Sequence, residues 1–178
     1  MNQAENITAN WYAIYTRSKA EKKVLAEFVH SGIEAYLPLV LRLRQWSDRK
    51  KLVEEPLFRS YIFVHITEKE YFKVLNTQGV LKFISFGRVA VKIPPQQIEA
   101  IRYYVSDKES EEDNQDELSE GQLVRVKHGP MEGLIGRLIR MKGKFRLIVQ
   151  IEAIGKSLTL NIPRTRVEPV SSGKEKLN

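Results

Sequence analysis

Cysteine is absent from all 178 residues. That excludes a disulfide framework, a thiolate metal site and a cysteine nucleophile, and it suits a reducing compartment. Long apolar runs are missing too, because Arg, Lys, Glu or Pro interrupts each one well before the roughly 20 residues a membrane span needs. Residues 1–10 are polar and lack the apolar stretch of an export signal. The expectation is a soluble, cytoplasmic chain without a membrane partner. Histidine is scarce: His30, His65 and His128 stand singly, with neither a Ser-His-Asp order nor metal-ligand spacing around them. No glycine-rich phosphate loop opens a helix. The sequence therefore predicts no enzyme, no cofactor and no metal.

What is present is an ordinary globular composition, 42% hydrophobic, with a net charge of +7. Such an excess favours an acidic partner, nucleic acid being the commonest. The charge is unevenly spread. Asp107, Glu109, Glu111, Glu112, Asp113, Asp116, Glu117 and Glu120 fall in one run almost without apolar residues, which cannot bury enough surface to order itself. Residues 107–118 thus read as an acidic linker between a first domain over 10–106 and a second over 119–170, with tails at 1–9 and 171–178.

The first domain reads as α+β, one antiparallel sheet with helices mainly on one side. A strand over 11–16 leads to Ser18 and Glu21, spaced as a capping box. The helix that follows has Val24, Leu25, Phe28 and Val29 as its apolar face, and Gly32 as a left-handed stop. An extended stretch over 35–46, a turn at Ser47 and Asp48, and a return segment precede a strand over 61–66. A helix over 68–76, strands over 82–86 and 89–93, and a helix after Pro94 and Pro95 with Ile98, Ile101 and Val105 buried complete the domain. After the linker, short β-rich runs over 123–126, 134–139, 145–151 and 158–162 are punctuated by Gly129, Gly133, Gly136, Gly143 and Gly155. This is the pattern of a small SH3-like β-barrel with tight turns. Its β-branched residues and turn glycines oppose a helical alternative state, so a permanent barrel is expected.

Strand alternation separates two faces: Ile62, Val64 and Ile66 against Tyr61, Phe63 and His65, and in the first strand Trp11, Ala13 and Tyr15 against Tyr12 and Ile14. If helices cover the aliphatic side, an aromatic side remains, with Phe58 just ahead of it. Composition leaves three readings open: a second layer of core, a platform on which RNA bases stack, or a docking pocket for a partner helix.

Trp11-Tyr12 opening the domain, the segment Glu55-Pro56-Leu57-Phe58-Arg59-Ser60-Tyr61-Ile62-Phe63-Val64 and the pair Gly79-Val80 together resemble the N-terminal domain of the NusG family. Val124-Arg125-Val126, Gly129-Pro130, Gly133 and Gly136 resemble that family's KOW motif. The two matches span about residues 10–168, in the family's order. Gln45-Trp46-Ser47-Asp48-Arg49-Lys50-Lys51 and the segment after it are similar to the specialised UpxY-type antiterminators of polysaccharide operons, and residues 83–87 are similar to RfaH. The resemblance implies a non-enzymatic, monomeric factor for transcription elongation and antitermination. Its first domain would bind the clamp helices of the largest RNA polymerase subunit and suppress pausing. Trp11, Tyr15, Phe58, Tyr61 and Phe63 match the docking pocket. A general elongation factor and a plain RNA-binding module are the alternatives.

Arg17, Lys19, Lys22 and Lys23 cluster at the start of the first helix, where backbone amides and cations suit a phosphate. The resemblance implies contact there with non-template DNA, with Lys73 and Gln78 joining the patch; nascent RNA is the other nucleic acid in view. Arg42, Arg44, Arg49, Lys50 and Lys51 flank the hairpin turn, and Arg137, Arg140, Lys142, Lys144 and Arg146 lie in the KOW region. Three departures from the family pattern stand out. Arg59-Ser60 replaces Pro-Gly, which would aim the turn differently. Met131 replaces Phe, and Ile154 replaces an aromatic used on ribosomal-protein or Rho partners, so the KOW partner is left unassigned.

Overall fold

The computed structural model describes residues 8–45, 49–106, 121–141 and 144–170. The turn residues Ser47 and Asp48, the acidic run over 107–120, the Lys142-Gly143 tip, residues 1–7 and residues 171–178 lie outside them. The chain divides into two compact units, Met1–Pro94 and Pro95–Asn178.

In chain order the first unit contains β1 (Asn10–Thr16), α1 (Glu21–His30), β2 (Glu34–Tyr36), β3 (Leu39–Gln45), β4 (Lys50–Pro56) and β5 (Tyr61–Ile66). A 3-10 turn at Glu68–Glu70 runs into α2 (Tyr71–Leu75), followed by β6 (Val80–Phe83), β7 (Ser85–Phe86), β8 (Val89–Ala90) and β9 (Lys92–Ile93). The main sheet is antiparallel in the order β2-β5-β1-β6, with β9 also pairing β1. Its aliphatic side carries Tyr12, Ile14, Ile62, Val64 and Ile66, which pack with Val24 and Phe28 of α1, Val74 of α2 and Phe83. The period-2 alternation is therefore realised as read.

Helix α1 begins later than the Ser18 signal predicts. Lys19 turns left-handed at φ 64°, Ala20 takes the N-cap position and no side chain caps it. Glu21 folds inward instead and becomes a buried carboxylate. The capping pair lies at the next helical segment, where the Glu70 carboxylate accepts the Thr67 N–H at 2.9 Å and the Thr67 hydroxyl at 2.9 Å. Val24 and Phe28 are fully buried and Leu25 packs on the core, but Val29 is 69% exposed. Five positions on from Val24, it is rotated roughly 140° around the helix. Gly32 ends the helix at φ +71°, with the Ile33 N–H reaching back to the Phe28 carbonyl at 2.9 Å.

Strands β3 and β4 form a separate two-stranded ribbon with Leu43 opposite Leu52 and Arg44 opposite Lys51. Leu41, Leu43 and Leu52 thus share one side and Arg42, Arg44 and Lys51 the other. The strands expected over 82–86 and 89–93 are each broken in two. Phe83 and Ile93 stay with the main sheet, while β7 and β8 form their own hairpin across Gly87 (φ 55°) and Arg88 (φ 72°). Two adjacent left-handed residues are what a tight two-residue hairpin requires.

The second unit opens with α3 (Pro95–Ser106), which buries Ile98, Ala100 and Ile101 and leaves Val105 half-buried. The unit boundary thus precedes the composition break at 107 by one helix. The Tyr103 hydroxyl donates to the Asn161 carbonyl, tying α3 to the strands that follow. These are β10 (Leu123–Val126), β11 (Ile135–Met141), β12 (Lys144–Ile151), β13 (Lys156–Leu160) and β14 (Val167–Pro169), in the antiparallel order β13-β12-β11-β10-β14. They make the small SH3-like barrel around Val124, Val126, Leu147, Val149, Ile151 and Leu160. Gly136 is required by close approach: a Cβ there would sit 2.6 Å from the Ile148 carbonyl oxygen and 2.7 Å from Leu147 Cδ1. Among the described residues no helix is long and apolar enough to cross a membrane.

Candidate docking face and basic patch

The register of β1 against β5 sets Trp11 opposite His65, Ala13 opposite Phe63 and Tyr15 opposite Tyr61. The rings singled out from the sequence therefore do share one face. Tyr15 and Tyr61 meet edge to face with centroids 5.3 Å apart, and Phe58 meets Phe63 the same way at 6.2 Å. Trp11 stacks on the His65 ring at 4.9 Å, and His65 Nδ1 lies 2.7 Å from a Glu34 carboxylate oxygen.

Burial divides this set. Phe63 is 0% exposed, Phe58 7% and Trp11 8%, whereas Tyr15 and Tyr61 are half-buried. A five-ring open pocket is not what the chain presents. Trp11, Phe58 and Phe63 are a second layer of core, and the accessible part of the face is the Tyr15–Tyr61 pair. The reason is that alternation assigns a side of a sheet but carries no information on whether that side is covered.

Those two tyrosines are positioned by the Arg59-Ser60 turn, which the sequence singles out as a departure from Pro-Gly. Ser60 is left-handed at φ 65°, so the serine standing in place of glycine still takes the conformation glycine adopts freely. Its N–H donates to Glu21 Oε1 at 2.7 Å, and its carbonyl accepts the Thr16 N–H at 2.9 Å. The turn into β5 is thus held by α1 on one side and β1 on the other. A buried acid at the helix start, separated from its partner by 39 residues, has no local sequence signature.

The basic residues fall into two places. Arg17, Lys19, Lys22 and Lys23 are exposed around the start of α1, and Gln78 joins them, since the Arg17 N–H donates to the neighbouring Gly79 carbonyl at 2.9 Å. Gly79 takes φ +99° and approaches Val24 so closely that a Cβ would stand 2.8 Å from its Cγ2. Lys73 does not belong to the patch. Its ammonium donates to the Ser31 carbonyl at 2.6 Å, at the other end of α1, roughly 15 Å away along ten residues of helix, where a cation complements the helix dipole.

On the ribbon, Arg44 Nε and Nη2 grip the Glu55 carboxylate at 2.6 and 2.7 Å, and Arg59 stands 3.9 Å from it. The Arg44 hydrogen bond, with the charges of Arg44, Arg59 and Arg42, holds the Glu55 carboxyl below its usual range. Glu55 in turn raises the Arg44 guanidinium. Arg49, Lys50 and Lys51 are exposed. In the barrel, Arg137 is exposed and donates to the Gly121 carbonyl at 2.6 Å, and Arg146 is half-buried. Arg140 and Lys144 lie in paired strand positions near the hairpin end. Met131 and Ile154 are 7% and 8% exposed, so both are packing residues here. Among the described residues no three of His, Asp and Glu converge as metal ligands would.

Comparison with known proteins supplies the context for this geometry. Residues 9–102, more than half of the chain, match the family described as "Transcription termination factor nusG". The chain is 26% identical over 171 residues to the transcription termination/antitermination protein NusG of Staphylococcus aureus strain Mu50, covering 89% of this chain and 94% of that one. The same identity and coverage hold for the protein of strain N315. A solved structure described as "Domain interaction in Thermotoga maritima NusG" aligns with 92% of this chain and 98% of its own, at a TM-score of 0.51 and 21% identity. At that identity the likeness speaks for the fold. The match over the first sheet and α3, joined to a small β-barrel in the order read from the sequence, places this chain in the NusG family of transcription termination and antitermination factors.

Proposed function

We propose that this chain is a transcription elongation and antitermination factor that docks on the clamp helices of the largest RNA polymerase subunit through the Tyr15–Tyr61 pair on the aromatic face of its first sheet. The observation that carries this reading is the pair of half-buried rings at 5.3 Å, backed by a rigid layer of Phe58, Phe63 and Trp11 and fixed by the Ser60 turn. Aromatic anchors set in a packed surround are what dominate a protein interface. The exposed cations Arg17, Lys19, Lys22 and Lys23, with Gln78, contact the non-template DNA strand beside the docked enzyme. The wording of residues 45–64 supports action on specific polysaccharide operons. The factor works as a monomer in the cytoplasm, with the barrel taking a further partner.

The test is the affinity of the full chain for purified RNA polymerase and for a clamp-helix fragment. Removing both rings, Tyr15→Ala with Tyr61→Ala, costs about 2 kcal/mol or more, roughly thirtyfold in Kd. A folded double variant that binds as the parent does would discard the docking assignment.

A further inference from the structure

Among the described residues β3 and β4 pair only with each other, so the leucine side of their ribbon is covered by no further strand. From tip to base that side runs in cross-strand pairs: Gln45 with Lys50, Leu43 with Leu52, and Leu41 with Glu54. Leu41 is 66% exposed, and Leu43 and Leu52 are 60% exposed each. A single exposed leucine is ordinary, but three that adjoin on one side form a patch of the kind that marks an interface. On the reverse side Glu55 grips Arg44 across the two strands, which stiffens a ribbon that two strands alone would hold only marginally. Charge is distributed unevenly along it. At the base, Glu54 stands 3.6 Å from Lys22 of α1 and Glu55 is 2.6 Å from Arg44, so both acids are engaged. At the tip, Arg49, Lys50 and Lys51 follow one another against Asp48 alone, and Lys50 lies one row beyond Leu52 on the leucine side.

We infer that the leucine side of this ribbon seats an amphipathic helix of a protein partner, its apolar stripe lying along the ribbon and its carboxylates over Arg49 and Lys50 at the tip. The spacings match. Successive rows on one side of a ribbon stand roughly 7 Å apart, and residues i and i+4 of a helix are separated by a rise of about 6 Å. One apolar side chain therefore meets Leu41, the next meets the Leu43–Leu52 pair, and a further turn brings acidic side chains to Lys50. The acid belongs at the tip because the base is already neutralised by Lys22. Leucine offers a base neither a ring face nor a hydrogen bond, so a nucleic acid has nothing here to stack on. An added strand would take the open backbone edges of the ribbon and leave the leucines bare. Neither docking tyrosine takes part.

The experiment follows the methyl NMR signals of the full chain during titration with two synthetic helical peptides. Both carry a leucine stripe at i, i+4 spacing; one is flanked by glutamate and the other by lysine. The expected result is movement of the Leu41, Leu43 and Leu52 methyls and a Kd roughly tenfold lower for the glutamate peptide. Leu43→Thr with Leu52→Thr keeps strand propensity and removes the patch, which weakens the glutamate peptide roughly tenfold or more. Lys50→Glu abolishes the preference between the peptides. Tyr15→Ala with Tyr61→Ala binds the glutamate peptide as the parent does, and RNA polymerase is absent from the titration, so failure here leaves the docking reading standing. Equal binding of the two peptides, no binding, or signals that move at Tyr15 and Tyr61 instead would overturn the assignment. So would phosphatidylglycerol vesicles bound through the same leucines more tightly than the peptide, or a concentration-dependent dimer in sedimentation that the double leucine variant abolishes, because the patch would then serve a lipid surface or a second copy of the chain.

Discussion

Removing the Glu21 carboxylate should loosen the turn that aims Tyr61 while leaving both docking rings in the sequence. In Glu21→Ala the Ser60 N–H loses a charged acceptor 2.7 Å away in a buried setting. Hydrogen bonds to charged groups contribute about 1.5–3 kcal/mol and an orphaned buried donor costs about 1–3 kcal/mol, so a loss near 2 kcal/mol is expected. For a unit of this size that lowers Tm by roughly 10 °C. Glu21→Gln keeps an acceptor oxygen and gives up the charge, which about halves the bond, so it should fall midway. Ser60→Gly relieves the left-handed serine and stabilises by about 0.5–1 kcal/mol. Heat and urea unfolding followed by circular dichroism measure the stability, and hydrogen exchange at the Ser60 and Tyr61 amides reads the turn directly. Polymerase affinity should fall with exchange protection in Glu21→Ala and recover in part in Glu21→Gln. Equal behaviour of the Ala and Gln variants, or a Glu21→Ala chain as stable as the parent, would refute the carboxylate as the acceptor that sets this turn.

The other expectations separate packing from contact. Phe63→Ala, at a fully buried ring, costs about 3–5 kcal/mol of stability in unfolding titrations, whereas Tyr61→Ala costs about 1 kcal/mol and shows its main effect in polymerase binding. Gly136→Ala drives a Cβ to 2.6 Å from the Ile148 carbonyl oxygen; the backbone cannot yield as a side chain does, so the barrel loses about 1–3 kcal/mol, visible as selective loss of its NMR dispersion. Glu70 has its carboxyl lowered first by the Thr67 N–H. The stability it adds is fully present above its unfolded pKa of about 4.3 and is lost as pH falls through the lower folded value. Glu70→Gln should therefore flatten the acid limb of Tm against pH below about 4.3, and an unchanged limb would count against the cap.

Much of the architecture was legible because it is written in local periodicity. The strand over 61–66 was read at its full extent, and alternation alone put Ile62 and Val64 on the core side and Tyr61 and Phe63 on the other. Gly32 was found because a left-handed stop has a residue type attached to it. What escaped was long-range. Ser18 and Glu21 have capping-box spacing, but Glu21 is worth more to a turn 39 residues away than to its own helix. The same spacing at Thr67 and Glu70, where it operates, went unread. Lys73 counted as part of the basic patch until helix length set it at the far end of α1. The five-ring pocket shrank to two tyrosines because period two names a face and not its cover.

The bond from Tyr103 to Asn161 bears on how this chain can be dissected. The acidic run invites a cut after residue 106, yet a fragment starting there discards the helix whose hydroxyl satisfies a carbonyl in the last third of the barrel unit. A fragment starting at Pro95 keeps that pair intact. Barrel fragments with the two starting points are therefore different molecules, and a partner found only by the shorter one would be binding to surface from which α3 had been stripped.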